Sequence, residues 1–241
     1  MAHSAQDMDS LHTPVVLAVE TATLCGSIAL TAGEQCLAEC SLQSRLTHSR
    51  RLLDGLERLL GECGITWERI DAVAVSLGPG SFTGLRIGLS TAKGLVMAAA
   101  KPLIGISTLD GLAGQFYHTR LPIYPVLDAR KQEVYTACYR CNDAGVPERA
   151  SNYLVIRPEE LCGMVREPSL FAGDGAVAYR ELFRDRLAGM MIPAPQSLFF
   201  PRAAAIALLA VGKWHEKDFL DPASAVPIYI RPSEAEIHFG K

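Results

Sequence analysis

One stretch of this chain repeats itself, and the repeat restricts the fold more than any other feature. Val16-Leu17-Ala18-Val19-Glu20 is an apolar run that ends in an acid, followed by a short polar turn and a second strand-like run over 27–30. In the second half, Tyr124-Pro125-Val126-Leu127-Asp128 is followed in the same order by a turn and the run 135–138. Continuous apolar runs of this length are strands covered on both faces, so each copy needs layers above and below its sheet. Around the first copy the pattern predicts strands over 15–20, 26–31 and 35–41, then a helix over 47–63 capped by Thr47 or Ser49. A strand over 70–77, a helix over 84–100 stopped by Lys101-Pro102, a strand over 103–106 and a helix opened by Ser107 or Thr108 follow. Around the second copy it predicts a strand over 153–156, a helix entered at Arg157-Pro158, a strand over 169–172, the turn Gly173-Asp174-Gly175, and helical stretches over 177–186 and 201–216. The economical architecture is two related α/β lobes, each βββαβαβα, over 14–120 and 121–226. A frayed start over 1–13 and a tail over 227–241, with strand character at 228–230, complete it. A single α/β domain with an unrelated appendage is the alternative.

Composition narrows the function classes. With 241 residues, 49% of them hydrophobic and 20% charged, the chain can build a large core without disulfides. A formal net charge of -3 argues against stand-alone tight binding of nucleic acid, which uses a basic face, while leaving room for a local basic patch. Residues 1–9 lack the Lys or Arg of a secretory start, and the apolar stretch 203–211 falls far short of the roughly 18 to 20 residues that cross a bilayer. Seven cysteines, an odd number among apolar neighbours, fit a reducing compartment, so a cytoplasmic location is expected. Cys138 and Cys141 form one Cys-x-x-Cys at the end of a strand-like run, without a second pair or a helix start to activate a thiol, and are read as structural.

The segment Ser76-Leu77-Gly78-Pro79-Gly80-Ser81-Phe82-Thr83-Gly84 joins a strand to a helix, where backbone N–H groups and the helix dipole favour an anion. No Gly-Lys-Ser/Thr follows, and Lys93 lies over two turns into the helix, so a Walker A mechanism is excluded. Two readings stay open for Gly78, Gly80 and Gly84: a phosphate cradle, or a tight turn with close packing. The helix beyond carries apolar residues on two neighbouring faces. Leu85, Leu89, Ala92 and Val96 make one, and Ile87, Thr91, Gly94, Leu95 and Ala98 the other, leaving Arg86, Ser90 and Lys93 as a narrow polar strip. Keeping Ile87 and Leu95 in water would forgo roughly 1.5 to 3 kcal/mol per side chain, and Gly84, Gly88 and Gly94 weaken the helix unless close approach requires them. The second face therefore needs a cover. Either helix 47–63 supplies it, with Leu52, Leu53, Leu56, Leu59 and Leu60 on one side, or a helix of another molecule does, which is the preferred reading.

No reactive centre assembles from the remaining residues. The histidines (His3, His12, His48, His118, His215 and His238) include no pair at metal-binding helical spacing. Ser81 does not lie in a Gly-x-Ser-x-Gly elbow and would need a base that nothing nearby in sequence provides. Glu20 and Asp128 end equivalent strands, a place where sugar-kinase-like folds hold Mg²⁺ and phosphates with acids. Neither Thr21-Ala22-Thr23 nor Ala129-Arg130-Lys131, the turns that follow them, contains the glycine that lets a backbone wrap a phosphate. Glu20, Gly80, Ser81, Thr83 and Asp128 are accordingly read as a vestigial nucleotide or anion site, with a working phosphotransferase or ATPase as the alternative.

Val19-Glu20-Thr21-Ala22-Thr23, the block from Leu77-Gly78-Pro79-Gly80 to Arg86-Ile87-Gly88-Leu89, Gly105-Ile106-Ser107-Thr108-Leu109, Asp128-Ala129-Arg130 and Pro227-Ile228-Tyr229-Ile230-Arg231 together resemble the bacterial TsaB family, also called YeaZ. The likeness runs from about residue 15 to about 231. It implies a two-lobed actin-like or Hsp70-like fold of the ribonuclease H class, and a role in making N6-threonylcarbamoyladenosine at position 37 of tRNAs that read codons beginning with A. It further implies a non-catalytic subunit that pairs with TsaD, the related metal-containing transferase, or with itself when TsaD is absent, while the small ATPase TsaE completes the system. By the same resemblance tRNA is reached through the complex, no cofactor is held by this chain alone, ATP or ADP belongs at the boundary in the complex, and no membrane is involved. The implied contact surface is the two helices of the first lobe, with Leu52, Leu56, Leu60, Arg86, Ile87 and Lys93 as its residues. The corresponding helix of TsaD carries a paired-histidine metal motif, where this chain offers only His48. The glycoprotease-like label sometimes given to such proteins finds no chemical support in these residues.

Overall fold

A computed structural model of the chain describes residues 12–43, 48–228 and 230. The expected frayed start, Thr47 as a cap, Tyr229 in a terminal strand and the tail from 231 lie outside the described residues.

Strands β1 (Val15–Glu20), β2 (Cys25–Ala32) and β3 (Gln35–Gln43) form an antiparallel meander. Helix α1 (His48–Cys63) and a short 3₁₀ turn lead to β4 (Ala72–Gly78), which lies parallel to β1. Helix α2 (Phe82–Ala99) then leads to β5 (Leu103–Ser107), parallel to β4, giving the sheet order β3-β2-β1-β4-β5. Every residue of β1 and β4 is buried, as their continuous apolar runs require. Because side chains alternate along a strand, the sheet feeds two cores. Leu17, Val19, Val73 and Val75 face α1 and α2, while Val16, Ala18, Ala72 and Ala74 face the opposite layer.

Helix α3 (Thr108–Ala113) leaves the first sheet and the second copy of the plan begins. Here β6 (Ile123–Asp128) takes the place of β1, antiparallel to β7 (Val134–Thr136) and parallel to β11 (Ser169–Ala172). The path is β10-β7-β6-β11-β12, where β10 is Leu154–Ile156 and β12 is Met191–Pro193. Helices α4 (Pro158–Met164), α5 (Asp174–Ala178) and α6 (Arg180–Leu187) belong to this lobe. The chain thus adopts a mixed α/β plan built twice, each time around its own sheet. Two details depart from the expected order. A hairpin of β8 (Tyr139–Cys141) and β9 (Pro147–Arg149) is inserted before β10, and the single helical stretch expected over 177–186 is two short helices broken at Tyr179.

Helix α7 (Ala203–His215) comes from the second half of the chain but crosses back to the first sheet. Ala203, Ile206, Ala207 and Ala210 lie on Val16, Ala18, Ala29, Ala72 and Ala74, so alanines meet alanines across the contact. Its start is pinned by Ser27 Oγ accepting from Ala203 N at 2.8 Å, and by Glu39, which accepts from Ala204 N at 3.0 Å and pairs with Arg202. Beyond α7 the chain runs along the sheet, with Leu220 N bonded to Leu103 O at 2.8 Å and Ile228 N to Leu77 O at 2.7 Å. Ile228 itself is not in a strand.

Small side chains on both surfaces set the helix-to-sheet distance, so enlarging one should force the layers apart. Ala207→Leu is expected to lower the unfolding free energy by roughly 1 to 3 kcal/mol, read from urea melts.

Candidate functional site

The glycine-rich loop is built around the turn that follows β1. Ser81 caps α2, its Oγ accepting from Gly84 N at 3.3 Å. Ser81 N donates to Ala22 O at 2.7 Å, and Thr21 Oγ1 donates to Gly84 O at 2.8 Å. A Cβ at Gly80 would lie 2.5 Å from Ala22 O, one at Gly84 2.0 Å from Thr21 O, and one at Gly88 2.2 Å from Thr21 Oγ1. Gly80 and Gly84 therefore let one backbone rest directly on another, and Gly88 leaves room for the Thr21 side chain. Close packing, one of the two readings the sequence left open, accounts for the glycines, and the Ser81 and Gly84 N–H groups are bonded within the loop.

Glu20 lies beneath this turn with no exposed surface. Ala22 N donates to its Oε1, while Oε2 has no hydrogen-bond partner. Burial raises its pKa from the ordinary 4.5 to about 7, against the smaller opposing effect of the Ala22 N–H. Thr83 is exposed on the first turn of α2. Asp128 belongs to the other sheet, where Oδ1 accepts from Arg130 N at 2.9 Å and Oδ2 pairs with Arg130 Nη1 at 3.0 Å. Its own N–H donates to Asp174 Oδ1 at 3.0 Å, and burial raises the Asp174 pKa. Thus Glu20, Gly80 and Ser81 meet around Thr21 and Ala22, whereas Asp128 is tied to Arg130 and Asp174. Among the described residues no group of three or more His, Cys, Asp or Glu side chains is arranged to hold a metal ion. Cys138 and Cys141 are free thiols, and Cys141 Sγ lies 3.4 Å from Phe116 O.

The helical surface differs from the expectation on one side. Leu52, Leu56 and Leu60 are 6%, 2% and 6% exposed and pack mainly into the chain's own core, with Leu56 and Leu60 also at the floor of the groove between α1 and α2. Periodicity identifies an apolar side of a helix but not whether the chain's own sheet takes it. Leu95 packs half-buried against that core too. The outward arc of α2 carries Phe82, Thr83, Arg86, Ser90, Gly94, Met97 and Ala98, with Ile87 and Lys93 half-buried at its margins. Phe82 and Met97 are 45% and 73% exposed, and the Arg86 guanidinium lies 3.8 Å above the Phe82 ring. Between α1 and α2 a groove is lined by Leu53, Glu57, Trp67 and Leu95, continuing along Ala98. Phe82 escaped the sequence reading because it precedes the expected helix start. Met97 could have been found, since it lies seven residues beyond Ser90 on the same strip.

A family model described as TsaD, tRNA N6-adenosine threonylcarbamoyltransferase, matches residues 42–239. The tRNA threonylcarbamoyladenosine biosynthesis protein TsaB of Bacillus subtilis is 30% identical over 224 residues, spanning 92% of this chain and 96% of that one. Its Escherichia coli namesake is 30% identical over 225 residues, with 91% and 96% covered. The solved structure of YeaZ from Pseudomonas aeruginosa superposes with a TM-score of 0.76 at 28% identity, over 90% of this chain and 100% of that one.

Two substitutions report on this site. Gly88→Ala should cost roughly 1 to 3 kcal/mol by overpacking, whereas Gly61→Ala, with nothing within 4 Å of the new methyl, should gain up to about 1 kcal/mol; urea midpoints separate them. For Glu20, the folded pKa of about 7 exceeds the ordinary 4.5, so the folded chain keeps a proton that the unfolded chain loses. Stability is then greatest below the lower value and falls by up to roughly 3 kcal/mol as pH rises through this window. Glu20→Gln is expected to abolish that decline, measured as urea midpoints at about pH 5 and pH 8.

Proposed function

The chain belongs to the TsaB family, whose members are named for tRNA threonylcarbamoyladenosine biosynthesis, and from that footing we propose that it is the non-catalytic partner subunit of TsaD in forming N6-threonylcarbamoyladenosine at position 37 of tRNAs that read codons beginning with A. One observation carries this reading: the outward arc of α2. A helix on an ordinary surface keeps that side polar, but here exposed Phe82, Gly94, Met97 and Ala98 and half-buried Ile87 interrupt the polar Thr83, Arg86 and Ser90, beside the groove of Leu53 and Trp67. Small residues among larger apolar ones suit close helix-on-helix packing. In this proposal Leu53, Phe82, Arg86, Ile87 and Met97 meet the related first-lobe helices of TsaD, with Lys93 at the rim; two copies of the chain pair through the same arc when TsaD is absent. TsaE joins the pair, tRNA is reached through the complex, and ATP or ADP binds at the shared boundary. A tRNA-modifying role supports a cytoplasmic setting, and no helix among the described residues is long and apolar enough to cross a membrane.

The non-catalytic part of the reading is supported by chemistry. Glu20 is enclosed, Asp128 is paired with Arg130, and the Ser81 and Gly84 amides are bonded within the loop. Titration of the isolated chain with ATP and Mg²⁺ separates this reading from that of a working ATPase, which would bind the nucleotide.

Reconstituted tRNA threonylcarbamoylation should stop when this chain is omitted and resume on adding it back. Ile87→Glu should weaken association with TsaD by about tenfold or more while leaving the thermal midpoint of the free chain unchanged. Undiminished association, or enzymatic turnover by the isolated monomer, would refute the proposal.

A further inference from the structure

The two sheets are joined by a polar contact that the duplicated plan does not account for. Asp110 stands on α3, the helix that leaves the last strand of the first sheet. Its Oδ1 accepts from the Tyr139 hydroxyl at 2.5 Å, and its Oδ1 and Oδ2 accept from the Tyr153 hydroxyl at 2.9 and 2.8 Å. Tyr139 lies on β8 and Tyr153 immediately before β10, so both hydroxyls come from the second lobe. Tyr139 is 2% exposed. Arg149, opposite Tyr139 in the β8–β9 pairing, holds its guanidinium 4.1 Å from the centre of the Tyr153 ring. One carboxylate at the edge of the first lobe thus collects two donors from the second, and a cation covers one of the rings.

This contact lies where a hinge would have to act. The chain passes between the lobes twice, over 114–122 and 194–202. At the first passage Leu109 and Leu112 of α3 pack with Ile123, Leu127 and Tyr139. Apolar contact is non-directional and tolerates sliding, whereas hydrogen bonds to a carboxylate fix both distance and angle. At the second passage Arg202 and the Ala204 N–H hold Glu39 of β3. Burial, with a further contribution from the Asp110 charge, pushes the Tyr153 pKa up to about 12 and raises that of Tyr139 as well. Both hydroxyls accordingly stay donors at neutral pH.

We propose that Asp110, Tyr139 and Tyr153 form a latch that holds the two lobes at one fixed angle, so that the chain acts as a rigid body rather than as a clamp that opens and closes. The latch is intramolecular and stands whether or not TsaD is the partner. Hydrogen exchange on the full chain tests it, comparing the wild type with Tyr139→Phe/Tyr153→Phe, which keeps both rings and removes both donors. Amides of 114–122 and of the β8–β9 hairpin are expected to exchange on the order of tenfold faster in the variant, with β1 and β4 unchanged. Tyr153→Phe alone should give a smaller rise in the same segments, and it serves if the double variant does not fold. Unchanged exchange in those segments, or an even rise through every strand, would overturn the latch, the second outcome marking a plain loss of global stability.

Discussion

Thr21 and Ala22 rest backbone to backbone on Gly80 and Gly84, with the Thr21 side chain on Gly88, and this close contact decides where α2 lies. No side chain larger than hydrogen fits between them, so the helix is drawn down onto the end of β1. Its buried arc (Gly84, Leu85, Gly88, Leu89, Ala92 and Val96) is thereby fixed. The opposite arc is then committed to face away from the sheet, apolar residues included. The same contact engages the Ser81 amide, which donates to Ala22 O.

The two lobes share a plan but not a division of labour. The first has long helices on one face of its sheet and α7 on the other, while the second has short helices and an added hairpin. Equivalent strand-end acids have also diverged. Glu20 is enclosed with one oxygen unpartnered, and Asp128 is half-exposed and ion-paired.

Much of this architecture was legible in the residues because its strongest signals are long. The apolar runs of β1, β4 and β6 are strands buried on both faces, and the duplication is visible in their shared order. The β8–β9 hairpin was not legible, since three-residue strands are too short to show a period of two. Nor could the destination of α7 be read. Its apolar residues surround the helix almost evenly, so its sequence states burial without stating against what. The same limit explains Leu52, Leu56 and Leu60, whose spacing marks a face and not its neighbour. Asp110 and its two tyrosines are spread across residues 110–153, and only the tertiary fold brings them together.

The route of α7 has a consequence for synthesis. The alanine face of the first sheet, including Val16, Ala18 and Ala74, remains uncovered until residues 203–215 arrive. At roughly 5 to 20 residues per second of translation, the earliest strands wait on the order of ten seconds or more on the ribosome for the helix that shields them. The N-terminal half therefore cannot mature as an independent unit while the rest is being made, and a truncated product would present a bare sheet face to whatever nascent-chain chaperones are at hand.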